Sequence, residues 1–487
     1  MKNIDILFAF PLPSKSSPQK TPALSIFYPG EAAAKEGFTV DYWDERFDNM
    51  KDFEEKAKRA NIIGLSSLSG FQLSRTIEIL KWCKKNFPQK PTILGGVHAT
   101  FLPENSLREP FVDYVIIGEG EERIPKLLNA IYSEEGLSSI DGVGYKKDGC
   151  IIIQPRTSVV NFQKNYVCPI SERTKRYFKI AAKRNEVIIQ TSRGCPWSKR
   201  TCSFCSVGRQ YLNTYRGIPF ESWKEDMEKI YNLYPFNFIE LEDENSLYFV
   251  QNIDKFGSYL KDKNIKYQLF LRANQLLDEN VIKKLSETGC IRIHIGVESG
   301  NERVRNQILC KKERLEDFYL AAKLLSKYGI KAVYTYIIGN PTETLEEMME
   351  TLAVSDKISR LHGRKKSRST IYILMILPGT SIFEQAKKAN WKIPKDMEEW
   401  SRVSAAYNPE LPLEINNIYY IGGIHHNHYY KTSQNFSGLW RLIILPFEIL
   451  CEIRWYLRFF KYFKVEHFLI EKLLSWRSKK SKGLKIY

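Results

Sequence analysis

The chain has no run of about 20 uncharged apolar residues, the length a bilayer-crossing helix requires. It has no internal repeat and no low-complexity block, which excludes solenoids and unstructured tracts. No aromatic-basic motif of the RNA-binding kind is visible. Met1–Asp5 leads straight into the apolar run Ile6–Phe10, too short for the core of a secretory leader, so no export signal is expected. Cysteine is sparse and odd in number, nine in 487 residues. In the reducing cytosolic setting these features imply, clustered cysteines serve more often as metal ligands than as disulfides. Histidine is scarcer still, at seven, and the group His425, His426 and His428 reads as surface loop.

What is present is an ordinary globular balance, 43% hydrophobic and 26% charged, with length for two to four domains. The formal net charge of +17 suits phosphates, anionic lipid surfaces or acidic substrates, and equally a set of solvated lysine faces. Short apolar runs alternate with amphipathic stretches over the first 135 residues: Ile6–Phe10, Thr39–Trp43, Ile62–Ser66, Thr92–Leu94 and Tyr114–Ile117 as strands, with helices between. That order predicts a parallel sheet with right-handed crossovers. Ser66-Ser67, Gly95-Gly96 and Gly118-Glu119-Gly120 fall at strand ends, where small residues let a ligand approach the backbone. Gly142–Tyr145 and Cys150–Gln154 predict a hairpin. A second alternating series begins at Val187, with strands at Val187–Gln190, Phe238–Leu241, Tyr267–Leu271, Ile291–Ile295, Ala332–Ile338 and Ile371–Met375. Six strands in repeated βα order suit a β/α barrel, whose chemistry sits just after each strand.

The residues after the first of these strands are Thr191-Ser192-Arg193-Gly194-Cys195-Pro196-Trp197-Ser198-Lys199-Arg200-Thr201-Cys202-Ser203-Phe204-Cys205. Three thiolates on one loop can hold three irons of a [4Fe–4S] cluster and leave the fourth iron open. A closed structural zinc site needs a fourth ligand, and none lies in the loop.

This segment resembles the signature of the radical S-adenosylmethionine (SAM) superfamily, C-x3-C-x2-C with an aromatic before the last Cys, here Phe204. The spacing departs from it, reading C-x6-C-x2-C, so the first half of the loop is three residues longer. The resemblance implies that Cys195, Cys202 and Cys205 ligate the cluster. It also implies that Glu242-Asp243-Glu244 meets the SAM amino group, Arg272 its carboxylate and Glu298 its ribose. Gly339, in Gly339-Asn340-Pro341, lines the adenine, and Leu377-Pro378-Gly379-Thr380 follows the last strand. Gly64-Leu65-Ser66-Ser67, Leu94–Thr100 and Asp113–Glu121 resemble the cobalamin-binding domain that precedes the barrel in one large radical SAM class. Ser66, Ser67, Gly95, Gly96, Gly118 and Glu119 are the implied cobalamin contacts. The D-x-H-x-x-G motif that supplies an axial histidine elsewhere is absent, with Asp44-Glu45-Arg46-Phe47-Asp48 in its place. His98 reads as a loop histidine beside the Gly95-Gly96 turn.

The expected fold is therefore α/β: a Rossmann-like (flavodoxin-like) parallel-sheet domain over residues 1–135, a connector over 136–185, a partial β/α (TIM-type) barrel over 186–405, and a helical extension over 406–487. The resemblance implies three cofactors: the [4Fe–4S] cluster, SAM and cobalamin. Partners would be a small-molecule or lipid-like substrate and an external one-electron reductant of flavodoxin or ferredoxin type, with no nucleic acid. The expected reaction is cobalamin-dependent methyl transfer to an unactivated carbon. Two readings stay open beside it: radical cyclisation or rearrangement without methyl transfer, and a nucleic-acid-binding protein with a structural metal loop. In the tail, Ile449, Ile453, Tyr456, Leu457, Phe460 and Phe463 fall on one face of an expected helix over Phe447–Phe463, among basic residues. That pattern fits either a peripheral contact with the inner face of the membrane or a helix packed on the barrel.

Overall fold

The apolar run of the first strand is buried on both faces, as the strands of a covered parallel sheet must be: Ile6, Leu7, Phe8 and Ala9 are all out of water. In the computed structural model, which describes residues 3–12, 20–200, 202–388, 390–404, 412–423 and 439–461, this strand is β1 (Ile4–Phe10). The chain forms two compact units, Met1–Leu269 with Leu377–Val403, and Phe270–Ile376 with Ser404–Tyr487.

The first unit begins with a sheet of β1, β2 (Val40–Asp44), β3 (Ala60–Ser66), β4 (Thr92–Gly95), β5 (Tyr114–Ile116), β6 (Val143–Lys147) and β7 (Cys150–Ile153). Its order is β2-β1-β3-β4-β5-β6-β7, with the first five strands parallel. This is the flavodoxin-like order, whose topological switch point lies between β1 and β3. The expected hairpin forms, and it extends the front sheet: β6 pairs antiparallel with β5, and β7 with β6. Helices cover both faces. One of them, Met50–Arg59, opens on a capping box between Asn49 and Asp52. The core around Trp43, Phe53 and Leu80 also takes in Met397 and Trp400 from the returning segment. The Gly70 N–H, donating to the Trp400 carbonyl at 2.9 Å, ties that segment down.

Three parallel barrel strands follow in the same unit, β8 (Val187–Ile189), β11 (Phe238–Leu241) and β12 (Lys266–Phe270), with β11 between the other two. Between β8 and β11 lies a short antiparallel ribbon, β9 (Ser192–Gly194) against β10 (Tyr215–Gly217). Sequence periodicity gave no sign of it, because three-residue strands carry too little pattern.

The second unit carries β13 (Cys290–Glu298), β14 (Lys331–Ile338) and β15 (Ser367–Ile373), all parallel with β14 central. β13 is longer than expected and takes in Gly296-Val297-Glu298. β15 starts four residues before the expected Ile371, since Ser367-Arg368-Ser369-Thr370 has no apolar residue to mark it. Ser369 is nevertheless buried, sharing a hydrogen bond with Ser359.

The tail helix runs Leu439–Tyr456, seven residues short of the expected end at Phe463. The chain turns back because Arg458 adopts φ +52° and pairs with Asp356, while the Arg454 guanidinium donates to the Phe459 carbonyl. Phe460 therefore packs beneath Trp455 instead of joining the outer face. Among the described residues no helix is long and apolar enough to cross a membrane. His425, His426 and His428 lie outside the described residues.

The two glycines at the end of β4 differ in what they tolerate. Gly96 sits at φ +89°, and a Cβ there would stand 2.5 Å from the Ser67 carbonyl oxygen; at Gly95 nothing lies nearer than 3.7 Å. Gly96→Ala should therefore cost more than about 2 kcal/mol and Gly95→Ala less than about 1 kcal/mol. Urea unfolding followed by tryptophan fluorescence measures both, and matching midpoints would contradict this account of the turn.

Candidate active site

Chemistry-bearing side chains gather at the C-terminal ends of the parallel strands, as they do in open α/β sheets and β/α barrels. In the front sheet a cleft opens over the ends of β1, β3, β4 and β5. Ser66, Gly95, Gly96 and Gly118 line it, with Gly64, Gly120 and Pro29. The rest of the lining is mostly apolar, with Phe8, Ile26, Leu65, Ile93, Ile116 and Ile124, and the glycines among them leave the strand-end backbone open to a ligand. Ser67 and Glu119 turn elsewhere. The Ser67 hydroxyl bonds within the protein, to the Leu68 carbonyl and Thr76, and Glu119 enters an ion network. His98 is fully buried, with Ser69 Oγ 2.9 Å from its Nδ1; burial pushes its imidazole down to about 4.

The cysteine loop leaves β9 and returns on β10, so the ribbon closes its base. Gly194 is required there: at φ +89° its missing Cβ would strike the Thr214 carbonyl. Within the loop the Ser198 N–H donates to the Cys195 carbonyl at 2.9 Å, and the Cys205 N–H to the Cys202 carbonyl at 3.0 Å. All three cysteines are partly open, and Phe204 beside them is half-buried. Burial, with Cys202 and Cys195 adding to it, pushes the Cys205 thiol up to about 12. A metal bound there would release that proton, since the thiolate is the ligand. Among the described residues no three Cys, His, Asp or Glu converge on a single-ion position; ligands of a four-iron cluster stand farther apart than that. The returning segment braces the loop, since the Ile382 N–H and Ser381 Oγ both donate to the Ser203 carbonyl.

The acid triplet after β11 divides its work. Asp243 accepts from the Thr191 N–H, Thr191 Oγ1 and the Ser192 N–H at 2.7, 2.6 and 2.9 Å, which fixes the start of the loop. Glu244 accepts from the Gly194 N–H and Tyr211 Oη, which holds the two ends of the loop together. Of the three, Glu242 alone is exposed; partial desolvation by the surrounding protein, then Glu240 and Glu244, push its carboxyl up to about 7. A cationic ligand group there would relieve that repulsion.

Sequence reading missed a buried ion network beside the loop. Arg193 Nη1 lies 2.8 Å from Glu119 and 2.7 Å from Glu121, and Arg216 reaches Glu119 at 3.1 Å. The rings of Tyr28 and Phe162 flank the Arg193 guanidinium at 4.7 and 5.1 Å. Burial alone would raise the Glu119 carboxyl, but Arg193 and Arg216 hold it below its ordinary value. The network ties the loop at β5, which borders the cleft, to the residue two places before Cys195.

In the second unit the structure brings Arg272 and Glu298 into one buried cluster. Lys311 lies 3.3 Å from Glu298 and 3.5 Å from Glu313, and Arg272 lies 3.2 Å from Glu313. Glu298 takes φ +68°, rare for a residue with a side chain. Lys311 and Glu313 were not singled out from sequence; their only signal was the charged run Lys311-Lys312-Glu313 after a π-helical turn, Val304–Ile308. Gly339 has φ +74°, and the adjacent Asn340 bonds Glu343 through both its N–H and its side-chain amide.

Residues 189–354 match the model of the Radical SAM superfamily, and residues 14–128 that of the B12 binding domain. The chain is a radical SAM protein with a B12-binding domain. An uncharacterized methyltransferase of Pyrococcus horikoshii is 27% identical over 64% of this chain and 66% of its own length. The anaerobic magnesium-protoporphyrin IX monomethyl ester cyclase of Rubrivivax gelatinosus is 26% identical over 60% of this chain and 53% of its own. The chain thus spans less than two thirds of each of these relatives. The cobalamin-dependent S-adenosylmethionine radical enzyme OxsB, solved with aqua-cobalamin and S-adenosylmethionine, shares the fold, with TM-score 0.74 and 17% identity over 99% of this chain and 76% of that one. The expected architecture, a flavodoxin-like domain followed by a partial β/α barrel, is the one this likeness shows. The domain pair calls for a [4Fe–4S] cluster, SAM and cobalamin, and the three-thiol loop and the strand-end cleft suit the first and last of these.

Removing one partner of a buried ion pair strands the other, at about 3–5 kcal/mol. Glu119→Gln in this radical SAM protein should lower stability by that order and reduce the iron bound after anaerobic reconstitution. Glu121→Gln should do less, because Arg193 and Arg216 keep Glu119. Iron and sulfide assays with urea unfolding test the ranking, and a Glu119→Gln protein with full cluster content would refute it.

Proposed function

We propose that this radical SAM protein transfers a methyl group to an unactivated carbon of a small-molecule or lipid-like substrate. The observation that carries the reading is that one unit holds both a strand-end cleft lined by glycines and apolar side chains and a three-thiol loop, joined by the Arg193 network. Residues 1–135 would serve cobalamin and residues 186–405 the radical chemistry. When bound, the cluster and SAM supply a one-electron route to a carbon radical, and cobalamin supplies the methyl group. The protein's own contribution is positioning. Cys195, Cys202 and Cys205 hold the cluster, Glu242 takes the SAM ammonium, and Asp243 and Glu244 keep the loop in place. Ser66, Gly95, Gly96 and Gly118 floor the cobalamin cleft. Arg272, Glu298 and Gly339 keep the roles their motifs imply. An external flavodoxin or ferredoxin would supply electrons.

Anaerobically reconstituted protein should form 5′-deoxyadenosine and a product heavier by one methylene, and Cys202→Ala should form neither. Full deoxyadenosine production by Cys202→Ala would remove the cluster assignment. The likeness to a cyclase favours a second reading, oxidative ring closure. Deoxyadenosine with an oxidised product and no added carbon would establish that reading instead.

The substrate's lipid-like character rests on the tail. Leu445, Ile449, Leu450, Ile453, Tyr456, Leu457 and Phe459 are exposed together, while Cys451 and Trp455 face the protein. Arg454 is buried and Arg458 serves Asp356, so both are spent on protein contacts. With those two set aside, the sequence from residue 439 onward still carries nine Lys and Arg against four Glu. Apolar side chains beside an excess of cations suit an anionic bilayer surface, each cation adding about 1 kcal/mol near it. The full chain should sediment with anionic vesicles at low salt, less at high salt, and not at all once truncated after Gly438. Protein left in the supernatant at low salt would dispose of the membrane contact.

A further inference from the structure

The strands of the second unit present two unlike faces. Ile293, Ile295, Val297, Tyr334, Tyr336, Ile338, Ile371 and Ile373 point one way and are buried. The alternate positions point the other way: Arg292 and His294 on β13, Val333 and Thr335 on β14 and Thr370 on β15 are partly open, and Arg368 and Tyr372 on β15 are exposed. A parallel sheet covered on both sides ordinarily carries aliphatic residues at such positions. The register sets His294, Val333 and Arg368 in one row across the three strands. Phe270 stacks on the His294 ring, with centroids 4.6 Å apart and planes 27° from parallel.

Two groups in this row lack what they are built to bind. His294 Nε2 is buried with no hydrogen-bond partner. Arg368 makes no ion pair among the described residues, and the charged groups that act on it are Tyr372 and Arg292. His294 is pushed down to about 4, by burial first and then by Arg292 and Arg368. A guanidinium presents a planar fork of donors matched to a carboxylate or phosphate. A buried ring nitrogen without a partner costs stability until one arrives. An anion seated between them would neutralise Arg368 and let His294 gain a proton and donate.

We propose that this face holds a carboxylate or phosphate group of the substrate, gripped by Arg368 and His294, with Phe270 and Tyr372 against the adjoining stem. The inference rests on reading the barrel as substrate-binding. His294 lies four residues before Glu298, a rise of about 13 Å along β13. The anion would sit that far from the strand ends where barrel chemistry occurs, so the substrate is elongated and its charged end lies remote from the reacting carbon. Binding energy gained at such a distance can orient the reacting end.

The test uses the full chain labelled with ¹³C-histidine, the His294 signal assigned by its loss in His294→Gln. Inorganic phosphate, acetate, decyl phosphate and decanoate are titrated at constant ionic strength. At least one should shift the His294 signal saturably and raise its titration midpoint by about one pH unit or more. Arg368→Met, checked for unchanged unfolding, should weaken that response at least about tenfold. Tighter binding of the alkyl anions places the group on an amphiphile, and equal binding places it on a soluble ester or acid. No saturable shift with any probe, or an unaltered response in Arg368→Met, overturns the proposal. Neither cluster nor cobalamin is needed, so this failure is distinct from a failure of methyl transfer.

Discussion

A guanidinium taken out of water needs counter-charges at hydrogen-bond distance, and the position of Arg193 is decided by where those charges stand. Glu119 and Glu121 lie on the loop after β5, and Arg193 lies in β9. The aromatic faces of Tyr28 and Phe162 exclude water from the group, so the ion pairs act in a medium that screens them weakly. The loop that borders the front cleft and the segment that leads into the cysteines are therefore tied together. The pairs at Asp243 and Glu244 extend the same constraint: backbone N–H groups at Thr191, Ser192 and Gly194 are all taken by carboxylates. The loop that carries the three thiols is thereby fixed at its base.

Much of this was legible in the residues. The five front strands, the hairpin and five of the six barrel strands lie where alternation of apolar runs and turns put them, because each is bounded by small or polar residues. The cysteine loop was visible because three thiols in eleven residues have few other uses. β15 was misplaced because its inner face is polar, and hydrophobic alternation cannot register a strand whose open side carries Arg368 and Thr370. The Arg193 network was invisible for another reason. Its members are separated by about seventy positions and more, and nothing local in Glu119 or Glu121 distinguishes a buried counter-ion from a surface acid. Glu242, Asp243 and Glu244 were read as one motif; only the fold shows that two of them serve the loop and one faces open space.

The tail shows how a correct face can sit on a wrong helix. Ile449, Ile453, Tyr456 and Leu457 do share an exposed side. The periodicity that placed Phe460 with them assumed the helix continued, and the Arg458–Asp356 pair ends it first.

The ribbon of β9 and β10 has a bearing on the length of the cysteine loop. A loop tied at both ends by backbone pairing behaves as a closed polymer ring, whose closure entropy grows only with the logarithm of its length. Three residues added to a ring of roughly twenty change that entropy by about 0.1 kcal/mol. The stretch between Cys195 and Cys202 can therefore lengthen or shorten at almost no thermodynamic cost while its anchor stays put. The length of that stretch is for this reason left open by the ring itself, whereas Gly194 and the acids fix its anchor.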